Sequence, residues 1–210
     1  GQLSDLAIFS FYATKNITCG EGGAIICRDK GLYDALSQTR QHGMSAGAIN
    51  RFKDGGYNHW DMARLGTKAN LPDLLAALLP NQIDTVFERR EMRQAVADNY
   101  RQALEAMGIK MPHWCKGGTH AHHLFPIWVA PTMRDQVIAG LNAQGVNVTV
   151  NYHSVPSMHY YKTKGYDAHL YPVSLNWGLG TLSLPLYPGL NQEDQTYVMQ
   201  ALFQAVSAAA

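Results

Sequence analysis

Residues 8–23 read IFSFYATKNITCGEGG, and this stretch says more about the fold than any other part of the chain. One lysine, Lys15, stands in a predicted turn, five residues after Ser10 and just before a glycine-rich bend. The apolar runs on either side predict two buried β-strands, over residues 6–11 and 23–28. Regular structure would therefore hold the lysine from both sides. An unprotonated lysine amine is a good nucleophile toward carbonyl groups, and a hydroxyl such as that of Ser10 can donate a hydrogen bond to a phosphate.

The bulk composition is that of an ordinary globular protein. With 210 residues, 46% of them hydrophobic and 16% charged, the chain can form one large domain or two small ones. The net charge of +1 gives no field that would recruit nucleic acid or an acidic membrane surface. No apolar run approaches the roughly 20 residues that cross a bilayer. The three cysteines, Cys19, Cys27 and Cys115, have no CxxC spacing, so we expect reduced thiols in a cytoplasmic protein.

The periodicity of the remaining sequence predicts a mixed α/β chain. Helices are predicted from about residue 30 to Gly43, from an Asn70 cap to Leu79, over about 83–107, over 134–144 and after Asn191, and strands over 122–129, 146–153 and 181–186. Residues 43–69 have no clear period. We place the domain boundary at the long helix, so that residues 1–85 form one domain and residues 86–210 the other.

The lysine-bearing stretch closely resembles the cofactor-lysine segment of the sugar aminotransferases, the DegT/StrS family of fold-type-I enzymes that depend on pyridoxal phosphate (PLP). The resemblance continues in order along nearly the whole chain, in 39–43 (TRQHG), 70–77 (NLPDLLAA), 82–84 (QID), 89–90 (RR), 123–127 (HLFPI), 134–135 (RD), Gly145 and 182–187 (LSLPLY). It implies an α/β fold that forms the C-terminal part of such an enzyme. Residues 1–85 would complete the sheet of the PLP-binding large domain, and residues 86–210 would form the bridging helix and the small C-terminal domain.

The resemblance also implies roles for three residues. Lys15 is the expected catalytic residue, which would hold PLP as a Schiff base. Ser10 would bind the cofactor phosphate, and Asn70 would reach the phosphate held by the partner subunit, because dimers of this family build each site from both chains. Taken singly and from the residues alone, Lys15 is more readily a surface lysine and Asn70 a plain helix N-cap, and both interpretations stay open.

The implied reaction moves an amino group from an amino-acid donor, glutamate in this family, to a nucleotide-linked keto sugar, in the biosynthesis of amino sugars for surface polysaccharides or glycans. PLP would supply the electron sink, and the freed Lys15 amine would move the proton. In members of the family, an earlier half of the large domain precedes this lysine. That half supplies an aromatic residue that stacks on the cofactor ring and an acid that pairs with the ring nitrogen. Asp5 is the one acid ahead of Lys15 in this sequence, so we expect a C-terminal portion without that half.

Two other functions are compatible with the same residues. The chain could be a non-catalytic binding or assembly module of this fold with an idle Lys15, and PLP binding at Lys15 would discriminate between the two. Sugar dehydration by relatives that carry histidine in place of the lysine is disfavoured by Lys15 itself. The segment 150–156 (VNYHSVP) also departs from the His-Tyr pair usual in the family, which leaves its sugar-binding role open.

The histidines and aromatic residues of the second half suggest two further sites. Ligand types for a metal gather in His113, Cys115, His120, His122 and His123, but they lack the closely spaced pairs that zinc prefers, so no metal is predicted. The segment 159–164 (HYYKTK) favours a nucleotide-sugar surface or plain packing over nucleic acid, given the near-neutral charge.

Overall fold

The computed structural model describes residues 3–45, 55–57, 59–114 and 117–210. The chain divides into two compact units, Gly1–Val86 and Phe87–Ala210. Each unit has its own elements, and the lysine stretch lies in the first. Within the described ranges, no helix combines the length and the apolar character required to cross a membrane.

The first unit opens with a β-hairpin around the lysine. Strands β1 (Leu6–Ser10) and β2 (Gly23–Cys27) pair antiparallel, with Leu6 opposite Cys27 and Ser10 opposite Gly23. Both predicted strands are therefore confirmed, but the prediction that they are buried was wrong, since most of their side chains are exposed. Helix α1 (Lys30–Thr39) follows directly, because the Asp29 carboxylate accepts a hydrogen bond from the Leu32 amide at 2.6 Å and caps its first turn.

Two backbone segments cross in contact after α1. Gly43 is buried with φ +78°, and a Cβ there would lie 1.7 Å from the Arg64 carbonyl oxygen. A Cβ on Gly66 would lie 2.2 Å from the Gly43 nitrogen. The crossing therefore requires a residue without a side chain on both segments.

The helix predicted over residues 70–79 is shorter, α2 (Asp73–Ala76), and a second short helix, α3 (Pro80–Asp84), follows it. The prediction that Asn70 caps it was wrong, since the N-cap of α2 is Pro72 and no side chain caps that helix. The ring of a proline disfavours helical dihedral angles at the residue before it. Leu71, which precedes Pro72, is therefore a poor first helical residue, and an Asn70 cap would require it to be one. Pro80 has no amide proton to lose, which suits the first position of α3.

The second unit has the larger core. Its elements are α4 (Val86–Ala106), β3 (Phe125–Trp128), α5 (Arg134–Ala143), α6 (His159–Thr163), α7 (Pro172–Gly180), β4 (Thr181–Leu184) and α8 (Gln192–Ala209). Strands β3 and β4 pair antiparallel, and α5 packs against α8. Large side chains buried from solvent come from these elements: Tyr100, Leu104, Ile127, Leu141, Leu182 and Leu202. The apolar spacing predicted for α4 is thus confirmed at Val96, Tyr100 and Leu104.

Two features of the second unit differ from the sequence prediction. Residues 146–153 are not a strand, because they pair with the sheet at a single bridge between Thr149 and Ser183. Helices α6 and α7 were not predicted, and α7 contains two glycines that have low helix propensity. Close packing explains the two glycines. A Cβ on Gly178 would lie 2.5 Å from the Ser154 nitrogen, and a Cβ on Gly180 would lie 2.3 Å from the Val129 carbonyl oxygen.

Burial is distributed unevenly between the units. Among the described residues, the buried hydrophobic side chains of the first unit are Cys19 and Leu79, while the remaining ones lie in the second. Apolar side chains on both strands of the first hairpin are open to solvent, including Ile8, Phe9, Ile25 and Ile26. The first unit therefore stabilises itself less by apolar burial than the second does.

Candidate cofactor site

The lysine loop connects the two strands of the first hairpin. It leaves β1 after Ser10, and the Lys15 amide donates to the Tyr12 carbonyl at 2.9 Å, which closes a turn at the lysine. Lys15 itself is half-buried, unlike the exposed Tyr12, Ala13 and Thr14 before it. Its amine is thus carried by a hydrogen-bonded turn.

The base of this loop is closed by its own backbone and one hydroxyl. The Phe11 carbonyl accepts from the Thr18 hydroxyl at 3.0 Å and from the Cys19 amide at 3.1 Å, and the Phe11 amide donates to the Gly22 carbonyl at 2.8 Å. The Thr18 hydroxyl oxygen also accepts from the Gly20 amide at 3.0 Å. Residues 12–17 are therefore held between two fixed ends.

A glutamine outside the loop binds the same threonine. The Thr18 amide donates to Gln82 Oε1 at 3.1 Å, and Gln82 Nε2 donates to the Thr18 carbonyl at 2.7 Å. Sequence reasoning gave Gln82 no role, and its place in the family-like segment 82–84 was the one signal that could have found it.

Ser10 lies at the end of β1 and is exposed. Its hydroxyl oxygen accepts from the Tyr12 amide at 3.4 Å, a long contact that leaves the hydroxyl proton able to donate elsewhere. The structure thus places Ser10 and Lys15 at the start and in the turn of one loop.

Asn70 is exposed. The residue after it, Leu71, contacts the hairpin near Gly22, just before β2. A Cβ added to Gly22 would meet Leu71 Cδ1 at 2.9 Å and Cys19 Sγ at 3.0 Å, so the Leu71 side chain occupies the place beside this glycine. Asn70 therefore adjoins the glycine-rich end of the loop, although no described contact joins its side chain to Ser10 or Lys15.

By their chemistry, these side chains suit a ligand that carries both an aldehyde and a phosphate, as PLP does. The lysine offers an amine for the aldehyde, and the serine hydroxyl is a phosphate donor. Gly20 has φ +88° with open space where a Cβ would stand, so that part of the loop is free of side-chain bulk. The residues present are thus compatible with the predicted cofactor.

The histidines of the second unit form a packed aromatic group. His122 is fully buried; its ring lies 4.6 Å from that of Trp114 and 4.5 Å from that of His120, measured between centroids. Burial, together with the nearby His120, lowers the pKa of His122 to about 4. Among the described residues no group of three or more His, Cys, Asp or Glu side chains is placed to hold a metal, and Cys115 lies outside those residues.

Comparison with known proteins identifies the family. The model of the DegT/DnrJ/EryC1/StrS aminotransferase family matches residues 1–203. The chain belongs to this family. The Bacillus subtilis (strain 168) spore coat polysaccharide biosynthesis protein SpsC is 33% identical over the whole of this chain and 56% of its own length.

Solved structures of the family share the fold. The PMP form of the sugar aminotransferase Spr1654 from Streptococcus pneumoniae is 24% identical and covers 99% of this chain and 54% of its own, with a TM-score of 0.89. A DegT DnrJ EryC1 StrS aminotransferase from Brucella abortus is 27% identical over 95% of this chain and 50% of its own, with a TM-score of 0.77. The chain thus spans about half the length of the relatives it matches.

The match confirms three predictions made from the sequence. The family is the DegT/StrS family of PLP-dependent sugar aminotransferases, and the α/β fold is that of fold-type-I enzymes over about half of their length. The cofactor of the family is PLP, and Spr1654 has been solved in PLP and PMP forms. The roles of Lys15, Ser10 and Asn70 remain predictions.

Proposed function

We propose that this chain belongs to a PLP-dependent aminotransferase that moves an amino group from glutamate to the keto carbon of a nucleotide-linked sugar. The observation that carries the proposal is the lysine loop, in which one half-buried lysine lies on a turn held at both ends. Membership of the aminotransferase family supports the same reaction class. The relationship to a spore coat polysaccharide biosynthesis protein favours a cytoplasmic role in making amino sugars for a surface polysaccharide or glycan.

Three residues have separate tasks in this proposal. Lys15 Nζ would hold PLP through its aldehyde carbon, and as a free amine it would hold and move the proton at the reacting carbon. The Ser10 hydroxyl donates to the cofactor phosphate. The Asn70 side-chain amide donates to the phosphate held by the partner subunit of a homodimer, so that each site takes residues from both chains. Bound PLP supplies the electron sink for the reacting carbon of the substrate.

The fixed loop explains why this lysine would be selected among the others. A reacting amine gains rate when its position is set before the substrate arrives, because less freedom is lost on reaching the reacting geometry. Lys30, by contrast, is on the exposed first turn of α1, paired with Asp34, with 78% of its side chain open to solvent. We therefore expect Lys15 and Lys30 to differ in their behaviour toward the same cofactor.

The test of this function is transfer of the amino group away from glutamate. The chain is incubated with PLP and L-glutamate, and the 2-oxoglutarate released is measured against PLP alone. Lys15→Arg keeps the positive charge and removes the reactive amine, so it should lower the rate by about 100-fold or more, the usual share of a general base. Equal rates in the two proteins would contradict the proposal.

A further inference from the structure

We propose that Gln82 is a positioning residue for Lys15, acting through Thr18; this inference rests on the proposed function of the lysine. Gln82 lies on the short helix α3 and Lys15 on the hairpin loop, and Thr18 joins the two. Both partners belong to the first unit. No role for the glutamine follows from the chemistry of PLP, since it would act on the backbone of the loop.

The geometry of this contact is specific to a carboxamide. Gln82 Oε1 accepts from the Thr18 amide at 3.1 Å, while Gln82 Nε2 donates to the Thr18 carbonyl at 2.7 Å and to the Leu78 carbonyl at 2.7 Å. One side chain thus satisfies both backbone groups of one residue. The third bond fixes which end of the amide is the donor, because a carbonyl oxygen at Leu78 can only accept.

Thr18 passes this restraint to the rest of the loop. Its hydroxyl donates to the Phe11 carbonyl at 3.0 Å and accepts from the Gly20 amide at 3.0 Å, so all of its polar groups are engaged. Lys15 lies three residues before it, in the segment between Phe11 and Thr18. A shift of Thr18 therefore moves one of the two fixed ends that hold the lysine turn.

The helix that carries Gln82 is itself anchored. The Ile83 amide donates to the carbonyl of Leu79, which is a buried hydrophobic residue of this unit. The glutamine therefore ties the loop to a part of the unit that is shielded from solvent. Displacing a reacting group by about 1 Å can cost a factor of about 100 in rate, so a restraint of this kind bears directly on the reactivity of Lys15.

Changing the Gln82 amide to a carboxylate distinguishes a role that depends on its hydrogen bonds from a role that depends only on its size. Gln82→Glu keeps the length and shape of the side chain but replaces the donor with an oxygen facing the Thr18 and Leu78 carbonyls. Asn81→Asp is the matched control, since it makes the same chemical change one residue earlier on α3, at an exposed side chain. Gln82→Met supplies an uncharged side chain of similar length in case the carboxylate prevents folding.

Two measurements are made on the full chain. Hydrogen exchange at the Thr18 amide reports the restraint without any cofactor. The ratio of PLP adduct on Lys15 to that on Lys30, after borohydride reduction and peptide mapping, reports the positioning of the amine. Gln82→Met leaves the Thr18 amide without its acceptor, and in Gln82→Glu the Thr18 and Leu78 carbonyls repel the carboxylate. For both variants we expect exchange at Thr18 to rise about 10-fold or more and the adduct ratio to fall about 10-fold or more. Asn81→Asp should leave both measurements within about twofold of the original chain.

The outcomes separate the inference from the proposed function. A selective Lys15 adduct that survives unchanged in both Gln82 variants overturns the inference alone, and so does faster exchange at Thr18 without a change in the adduct ratio. Absence of a selective adduct in the original chain overturns the proposed function and, with it, the positioning role. Loss of selectivity in the Gln82 variants but not in Asn81→Asp supports both.

Discussion

At the scale of single residues, His122 shows how burial sets the behaviour of a titratable group. Its Nε2 lies 2.7 Å from Gln94 Oε1, while its Nδ1 has no hydrogen-bond partner within the described part of the chain. Desolvation, then the nearby His120, lowers the pKa of the imidazole to about 4; Arg90 and Arg101 act in the same direction, and Asp98 opposes them. The folded protein therefore prefers the neutral ring.

This shift predicts a loss of stability in acid. The pKa of His122 is lower in the folded state than its ordinary value of 6.5. The contribution of the neutral ring to the free energy of unfolding is therefore complete above about pH 6.5 and is lost as the pH falls toward 4. Between pH 7 and pH 4.5 His122 should account for a decrease of about 2–3 kcal/mol in the free energy of unfolding.

Urea unfolding at both pH values, compared with His122→Gln, measures this contribution. The variant removes the titrating group, so its loss of stability between the two pH values should be smaller by the amount assigned to His122. If the original chain and the variant lose the same stability on acidification, the buried neutral histidine is not the cause.

At the scale of elements, two asparagines with similar sequence signals have different structural roles. The Asn191 side chain accepts from the Asp194 amide at 2.8 Å and caps α8, the helix that was predicted to start after this residue. Asn70 is followed by Leu71 and Pro72, and α2 has no side-chain cap. The proline two residues later is what separates the two cases.

The difference predicts unequal effects of the same substitution. Asn191→Ala should lower the free energy of unfolding by about 1 kcal/mol, since it removes the cap of a helix packed against α5. Asn70→Ala should change stability by less than about 0.5 kcal/mol, because the side chain is exposed and forms no hydrogen bond among the described residues. Chemical denaturation of the two variants checks this, and a similar loss in both would contradict the capping assignment.

The elements that the sequence predicted well are those whose signal is local. The strands around the lysine, the long amphipathic α4 and the start of α8 after Asn191 follow from apolar spacing and local helix-start signals. Residues 146–153 alternate like a strand but form a single bridge, and α7 forms despite two glycines because neighbouring backbone packs against them. The Gln82 contact with Thr18 joins residues 64 positions apart, which no local pattern encodes.

At the scale of the whole molecule, the central question is whether two chains share each site. The proposed role of Asn70 places it in the site of the partner subunit, while Lys15 would serve the site of its own chain. In a mixture of Lys15→Arg and Asn70→Ala chains, each mixed dimer would then hold one site with both native residues. Equal amounts should recover about one quarter of the native sites, because half of the dimers are mixed and each has one such site.

The release of 2-oxoglutarate from glutamate measures the recovery. Each variant alone should be far less active than the original chain, and the mixture should exceed the mean of the two. A mixture no more active than that mean would contradict the sharing of sites between subunits.

Locating PLP on the chain tests the assignment of Lys15 most directly. The protein is mixed with PLP and reduced with borohydride, and its intact mass and peptide map are determined. If Lys15 is the cofactor lysine, we expect one cofactor-sized addition, carried by the peptide that contains Lys15 and absent from Lys15→Arg. Cofactor distributed over exposed lysines such as Lys30, or the same total addition in Lys15→Arg, would contradict the assignment of Lys15 as the cofactor lysine.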